Sequence, residues 1–342
     1  MKDNWIGKVD EHTWEKFHSD PLPGWGSRYS TIFNVEHGKF NETFSHGDTA
    51  VASIPFDSTA STRIGARYGP RAIRESSLAY SEQVKSWGVD RFRHMRTGEL
   101  LKSSPTKLVD FGDCHVYPTD PLKQMRATAA EVYYLSNHFQ RIVLLGGDHS
   151  ISFGCFYGFA SQRQQIGLGK IGYLQIDHHF DFGSHSVLHG PVYHGSNARR
   201  ISEHDLVSLD MMAFVGVGDL TSAKQYENLL RSGVIIKSMG DIRREGFESC
   251  LRSAMDKLTE KVDCLYVSID IDVCDSSVAS GTGHVTVGGL RSEEFLTIAS
   301  VLRDYPVAAL DIVEVSPHLD QSGVTAYLAA RLLFEWLYLD GV

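Results

Sequence analysis

Three short segments hold most of the side chains in this sequence that could act together chemically. They are Gly146-Gly147-Asp148-His149-Ser150, Asp177-His178-His179-Phe180-Asp181 and Ser268-Ile269-Asp270-Ile271-Asp272. Each lies where an apolar run of strand length gives out. Strand side chains repeat every second residue, which puts Asp270 and Asp272 on one face. The same period relates Asp177, His179 and Asp181 if the chain stays extended. Brought together, His149, Asp177, His179, Asp181, Asp270 and Asp272 would crowd carboxylates into one place. Such a group repels itself and resists burial unless cations neutralise it. Two divalent ions balance these aspartates with neutral histidines. Oxygen donors with some imidazole suit Mn²⁺ or a similar ion, and the lack of cysteine argues against a structural zinc site. Two ions ~3.5–4 Å apart can lower the pKa of a shared water. Taken singly, GGDHS reads as a turn capped by Asp148, and Asp-x-His-x-Asp as a solvated acidic loop. Their recurrence at successive strand ends carries the metal reading, as does the crowding of His178, His179, His185, His189 and His194 into one window.

The elements that must position these residues follow from periodicity. Strand-length apolar runs occur at Thr49–Pro55, Lys107–Phe111, Arg141–Leu145, Gly172–Ile176, Met212–Val217, Val234–Lys237, Cys264–Ile271 and Ala308–Val315. Between them, Leu122–Gln140, Phe247–Val262 and Ser292–Asp304 have helical period. Val324–Leu339 closes the chain as a helix, with Tyr327, Leu328, Leu332 and Trp336 at helical spacing. This alternation predicts an α/β fold, a three-layer α-β-α sandwich around a mainly parallel, roughly eight-stranded sheet. Ligands of such sheets bind beyond the carboxyl ends of the strands.

Composition limits the remaining classes. The chain has 342 residues and a formal charge of −9, so it lacks the cationic excess that nucleic acid or an anionic membrane would need. No apolar run approaches the ~20 residues of a membrane span, and the start lacks a signal-type segment. Its 5 cysteines form no CxxC pair, which fits free thiols in a reducing compartment. A cytoplasmic enzyme is expected. Residues 1–47 are polar but carry Trp5, Trp14, Phe17, Trp25 and Tyr29. They read as an extension packing on the core or on a neighbouring subunit, ahead of a catalytic domain at 48–342.

In combination, these motifs resemble the ureohydrolases, the arginase–agmatinase superfamily. Further matches are Ile54-Pro55-Phe56-Asp57, Arg63-Ile64-Gly65-Ala66-Arg67-Tyr68-Gly69-Pro70, Ala72-Ile73-Arg74, Asp110-Phe111-Gly112-Asp113 and Glu314-Val315-Ser316-Pro317. The agmatinase-like branch looks closer than true arginase. The resemblance implies a binuclear metal site held by the six residues above, with Mn²⁺ expected and Ni²⁺ a serious alternative. It implies that Glu314 binds a substrate guanidinium, through charge-assisted paired hydrogen bonds. It implies that Asp181 or His189 delivers a proton to the departing nitrogen, with His185 and His194 near enough in sequence to serve instead. The reaction would cleave a guanidine C–N bond to urea plus an amine or ammonia. The resemblance also implies a trimeric or hexameric homo-oligomer, or a hetero-oligomer with a paralogue.

Two departures bear on the substrate. Ser276 and Ser280 stand where the family has prolines, which should loosen that loop or redirect it. His178 replaces a small residue and is expected to face away from the ligands. With Phe180 and Phe182 they favour a small substrate: guanidine, a substituted guanidine or a biguanide. The alternatives are agmatinase or guanidinobutyrase activity on a linear substrate, or a non-catalytic subunit.

Overall fold

The structure, a computed structural model, describes residues 5–18, 30–39, 44, 47–104 and 106–341. Among these, the strands are β1 (Glu36–His37), β2 (Thr49–Ile54), β3 (Arg91–Arg93), β4 (Leu100–Ser103), β5 (Leu108–Asp113), β6 (Arg141–Gly146), β7 (Ile171–Ile176), β8 (Met212–Val215), β9 (Ile235–Lys237), β10 (Cys264–Asp270), β11 (Val307–Val313) and β12 (Leu339–Gly341). The α-helices are α1 (Glu11–His18), α2 (Gly69–Trp87), α3 (Pro121–His138), α4 (Ile151–Gln165), α5 (Asn197–Ser202), α6 (Ala223–Arg231), α7 (Met239–Glu245), α8 (Phe247–Thr259), α9 (Ser292–Leu302) and α10 (Val324–Leu333).

Nine strands form one parallel sheet in the order β1-β5-β2-β6-β11-β10-β7-β8-β9. Period-2 alternation divides its side chains between two cores. Val51, Val143, Leu145, Val267 and Ile269 face the core built with α2 and α7–α10. Ala50, Ala52, Ile142, Leu144 and Tyr266 face the core built with α3–α5. Both faces are covered, which is why the central strands read as unbroken apolar runs. The expected sandwich is present.

The ninth strand, β1, is too short to show a pattern in the sequence. The C-terminal helix differs from expectation. After Leu333 the chain takes a wider π turn at Phe334–Tyr338 and then pairs antiparallel with β4 as β12. That pairing belongs to a small second sheet, β12-β4-β3.

Two of the motif segments meet in the fold. Arg74, on α2, is buried and grips Asp110 of β5 through Nε and Nη2, both at 2.8 Å. Its Nη1 donates to Asp113 at 3.0 Å and to Ser53 at 2.9 Å, locking α2 to the strands β2 and β5. These motif residues therefore act through packing, away from the chemistry. In the N-terminal segment, Trp5 Nε1 donates to Glu203 at 3.0 Å, and Trp14 stacks on Tyr134 with centroids 4.4 Å apart. Trp25, Tyr29 and the side chain of Phe17 lie outside the described residues.

Candidate metal centre

The adjacent strands β2, β6, β11, β10 and β7 all end on the same edge of the sheet, and each sends polar residues into one cluster. After β6 the chain passes so close to the loop after β2 that a Cβ on Gly147 would meet the Phe56 carbonyl at 1.8 Å. Only glycine fits there, and Asp148 N then donates to that carbonyl at 2.8 Å. Asp148 itself turns away from the cluster. Its carboxylate accepts from Thr59 N at 2.9 Å and Thr59 Oγ1 at 2.7 Å, latching the loop after β2. Asp57 anchors the same loop by accepting from Gly65 N at 2.9 Å and by pairing with Arg67.

His149 is fully buried. Its Nδ1 lies 3.2 Å from Asp177 Oδ2, 2.9 Å from Asp181 Oδ2 and 3.1 Å from Asp270 Oδ2. Nδ1 nevertheless makes no hydrogen bond of good geometry with any of them. The other ring nitrogen explains the orientation. Ser268 Oγ donates to Asp311 at 2.6 Å and is thereby left to accept from His149 Nε2 at 2.9 Å. That assigns the proton to Nε2 and aims the Nδ1 lone pair between three carboxylates, as a metal-ligating imidazole requires.

A second group adjoins the first. His179 Nδ1 is 3.4 Å from Asp177 Oδ1 and 3.2 Å from Asp272 Oδ2, so Asp177 faces both groups, one oxygen to each. Asp272 Oδ1 is buried without a partner. Gln175 Nε2 pins Asp177 Oδ2 at 2.6 Å. All six predicted ligands thus converge as two groups sharing Asp177: His149 with Asp177, Asp181 and Asp270, and Asp177 with His179 and Asp272.

Simple strand alternation does not bring them there. β10 stops at Asp270, and a 3-10 turn over Ile271–Val273 returns Asp272, whose N–H donates to Asp270 Oδ1 at 2.8 Å. The segment after β7 leaves extended geometry too, and Asp181 sits at φ 44°. Among the described residues, four non-glycine residues have positive φ, and two are Asp181 and Glu314, the latter at 63°. Strained backbone held in place by its surroundings is characteristic of functional sites.

The electrostatics fit cations. Burial raises Asp270 well above the ordinary carboxylate range, and the charges of Asp272 and Asp177 add to it. Burial and Asp177 push Asp272 up to about 7. Burial opposes charge on His179, but Asp177 and Asp272 outweigh it and push the ring up to about 12. Protons therefore gather wherever these carboxylates crowd. Divalent cations would take the place of those protons, and the unpartnered Nδ1 of His149 and Oδ1 of Asp272 supply free donor atoms for them. The donor set fits a pair of such ions.

The cluster opens on a cavity of about 170 Å³, walled by Ser61, Arg63, His194, Gly283 and Glu314. Glu314 turns back beneath it and accepts from His149 N at 2.9 Å. His194 Nδ1 lies 3.7 Å from Glu314 Oε1, and its Nε2 pairs with Ser61 Oγ at 2.6 Å. Burial opposes charge on His194, yet Glu314, Asp181 and Asp148 together push it up to about 9.

His189 does not reach this cavity. Ser186 and Gly190 exchange two backbone hydrogen bonds, closing a tight turn that holds His189 beside the exposed Val187 and Leu188. Gly183 N donates to Gly195 O at 2.9 Å, folding the loop back and delivering His194 instead. This segment contains two His-Gly pairs, His189-Gly190 and His194-Gly195, and the signal that distinguishes them is this loop closure. His185 is exposed. His178 is buried and packs where a Cβ on Gly218 would meet its ring at 2.3 Å. The serine-bearing loop is tied down: Asp275 accepts from Ser277 N and Gly288 N, and Thr325 Oγ1 accepts from Gly281 N. A larger groove, about 460 Å³ between Trp5 and His204, contains none of the predicted residues.

Comparison with known proteins agrees with this geometry. Residues 47–338 match the Arginase family. The chain is 28% identical to the guanidinobutyrase of Pseudomonas aeruginosa, over 98% of this chain and 99% of that one. It is 30% identical to an agmatinase of Neisseria gonorrhoeae, over 87% and 88%. Among solved structures, formimidoylglutamase from Bacillus subtilis superposes with a TM-score of 0.76 at 24% identity, covering 94% of this chain and 95% of that one, a likeness of fold. No helix among the described residues is long and apolar enough to cross a membrane.

Proposed function

Because this chain belongs to the arginase family, whose hydrolases act on guanidino C–N bonds, we propose that it releases urea from a small guanidino compound: guanidine, a substituted guanidine or a biguanide. The observation that carries the reading is Glu314, a buried carboxylate on strained backbone facing a small cavity lined by four of the six candidate ligands, His179, Asp181, Asp270 and Asp272. About 170 Å³ is small beside the ~300–1,000 Å³ of pockets that take larger ligands.

His149, Asp177, His179, Asp181, Asp270 and Asp272 would hold two divalent ions, Mn²⁺ by family likeness and Ni²⁺ as the alternative. Bound there, such ions supply a nucleophile from water at neutral pH and offset the carboxylates. Glu314 takes the planar cation in paired, charge-assisted hydrogen bonds and sets its carbon over the cluster. Crowded carboxylates and Glu314 together let a cationic substrate approach. His194, in the position sought for His189, holds a proton on Nδ1 beside Glu314 and gives it to the departing nitrogen. Ser61, at the exposed edge, hydrogen-bonds His194 Nε2 and keeps the ring turned toward Glu314. Asp181, at 12% side-chain exposure, is the second carboxylate able to hold a transferred proton.

A linear guanidino acid is the second reading, favoured by the end-to-end likeness to a guanidinobutyrase. A screen for urea release separates the two. Guanidine, methylguanidines, biguanides, agmatine and guanidinobutyrate are each offered to the purified chain with Mn²⁺ and with Ni²⁺. The reading predicts the highest kcat/KM on a compound without a long tail; faster turnover of guanidinobutyrate would replace it with the second. We also read the chain as a cytoplasmic homo-oligomer of three or six copies, or a partner of a paralogue, which light scattering tests.

A further inference from the structure

Four adjacent strands, β2, β6, β11 and β10, begin around a cavity of about 370 Å³ on the sheet edge opposite the metal centre. Thr49 and Arg141, the first residues of β2 and β6, are register partners, so their side chains leave the same face of the sheet. Arg163, in the last turn of α4, lines the same cavity. It is 6% exposed, and its Nη2 donates to Gln140 O at 3.0 Å, next to Arg141. Its Nε is buried without a partner, and so is the hydroxyl of Thr49.

These cations lack an acid to answer their charge. Of the three buried arginines among the described residues, Arg74 pairs with Asp110 and Arg200 with Glu203, while Arg163 has no ion pair. Phe159, 4.8 Å from its guanidinium carbon, and the Gln140 carbonyl satisfy part of Arg163 but bring no negative charge. Arg141 stacks on Trp336, its guanidinium carbon 5.4 Å from the ring centre, and has no ion pair among the described residues. Burial lowers both below the ordinary arginine value; Asp340 offsets this only in part for Arg141, and the Cys264 thiol for Arg163. Arginine keeps its proton in proteins, so the charges remain. Asp263, the one acid among the described lining residues, is exposed and accepts from Lys170 N at 3.2 Å. A buried charge without a counter-charge is costly, and an incoming anion would relieve that cost.

We propose that Arg141, Arg163 and Thr49 form a binding site for a small molecule bearing an oxyanion, a carboxylate or a phosphate. Planar guanidinium forks match either group in paired, charge-assisted hydrogen bonds, and Thr49 Oγ1 donates one more. About 370 Å³ lies within the ~300–1,000 Å³ of small-molecule sites, which leaves room for an organic body beside the charged group. The site shares no residue with the metal centre and stands apart from the proposed reaction.

The test titrates the full, metal-loaded chain with succinate and with inorganic phosphate by calorimetry at constant ionic strength. Wild type is expected to bind one anion per chain that the variants lose. R163M and R141M should each weaken this binding by ~30-fold or more, the cost of removing one partner from a charge pair. T49V, which removes only a hydroxyl, should weaken it by ~2–10-fold. An anion held at the metal ions themselves would persist in R163M and is thereby told apart. R163M removes a buried unpaired charge, so its Tm without added oxyanion is expected to be no lower than that of wild type. Phosphate also stabilises folded proteins by exclusion, so the Tm gain that counts is the excess of wild type over R163M. Preference for succinate assigns a carboxylate ligand, and preference for phosphate a phosphoryl one. No saturable binding of either, or equal binding by wild type, R163M and R141M, overturns the site. No turnover is measured, so failure of the guanidine reading leaves this result intact.

Discussion

Glu314 shows how one residue can be fixed by several constraints at once. Its left-handed backbone is held by its own N–H on Gly147 O at 2.9 Å, and its carboxylate is held by the N–H of His149. Glu314→Gln keeps the shape but removes the charge that pairs with a guanidinium. Loss of such a pair costs ~2–5 kcal/mol, so kcat/KM for urea release is expected to fall by ~30-fold or more. The metal content should stay unchanged; full activity in the variant would remove Glu314 from substrate binding. For the histidines, His194→Gln is expected to lower kcat by ~100-fold or more, the contribution of a positioned acid. His189→Gln, on its outer turn, should stay near the wild-type rate, and the reverse pattern would restore His189. Asp272 yields a pH prediction. Its folded pKa of about 7 lies above the ordinary value of 3.8. In metal-free protein its contribution to stability is therefore complete below the ordinary value and is lost as pH rises through about 7. Cations displace the proton and remove this loss. The Tm difference between loaded and metal-free protein should widen from pH 5 to pH 8 in thermal melts; a constant or shrinking difference would contradict the assignment.

At the scale of elements, the site is assembled from strand ends, and the sequence reveals strand ends better than turns. The eight longer sheet strands were legible because they are buried on both faces and read as apolar runs. β1 is too short for a period, and β12 begins at Leu339, the last residue of what reads as a continuous helix, with its partner β4 far away in the chain. The six ligands were legible from residue type and position at the strand ends. How they meet was not, since Asp272 returns by a 3-10 turn and Asp181 by positive φ. The choice between His189 and His194 depends on the Gly183–Gly195 closure, which no local pattern announces. An element-scale prediction concerns Arg74, at 2% side-chain exposure, and Asp110, at 0%. Asp110→Ala leaves a buried guanidinium without its main partner and should destabilise the fold by ~3–5 kcal/mol in urea titrations. Its metal content, measured well below the transition, should match wild type. A change under ~1 kcal/mol would show that α2 is held chiefly by apolar packing.

For the whole molecule, one parallel sheet brings distant parts of the chain to a common edge, and acidity concentrated there gives the cluster its affinity for cations. Neither the formal charge of −9 nor the fold would impose this alone. The guanidinobutyrase likeness spans nearly the whole chain, including the aromatic N-terminal segment packed against α3 and α5 through Trp14 and Trp5. That segment is the surface on which we expect subunit packing to depend. The central claim is that two dications are held between side chains from β6, β7 and β10. The most direct measurement is anomalous diffraction from crystals of active protein, grown after dialysis to remove loosely held metal. The account predicts two peaks, one among His149, Asp177, Asp181 and Asp270, the other among Asp177, His179 and Asp272. Active protein with one peak or none at those positions would contradict it.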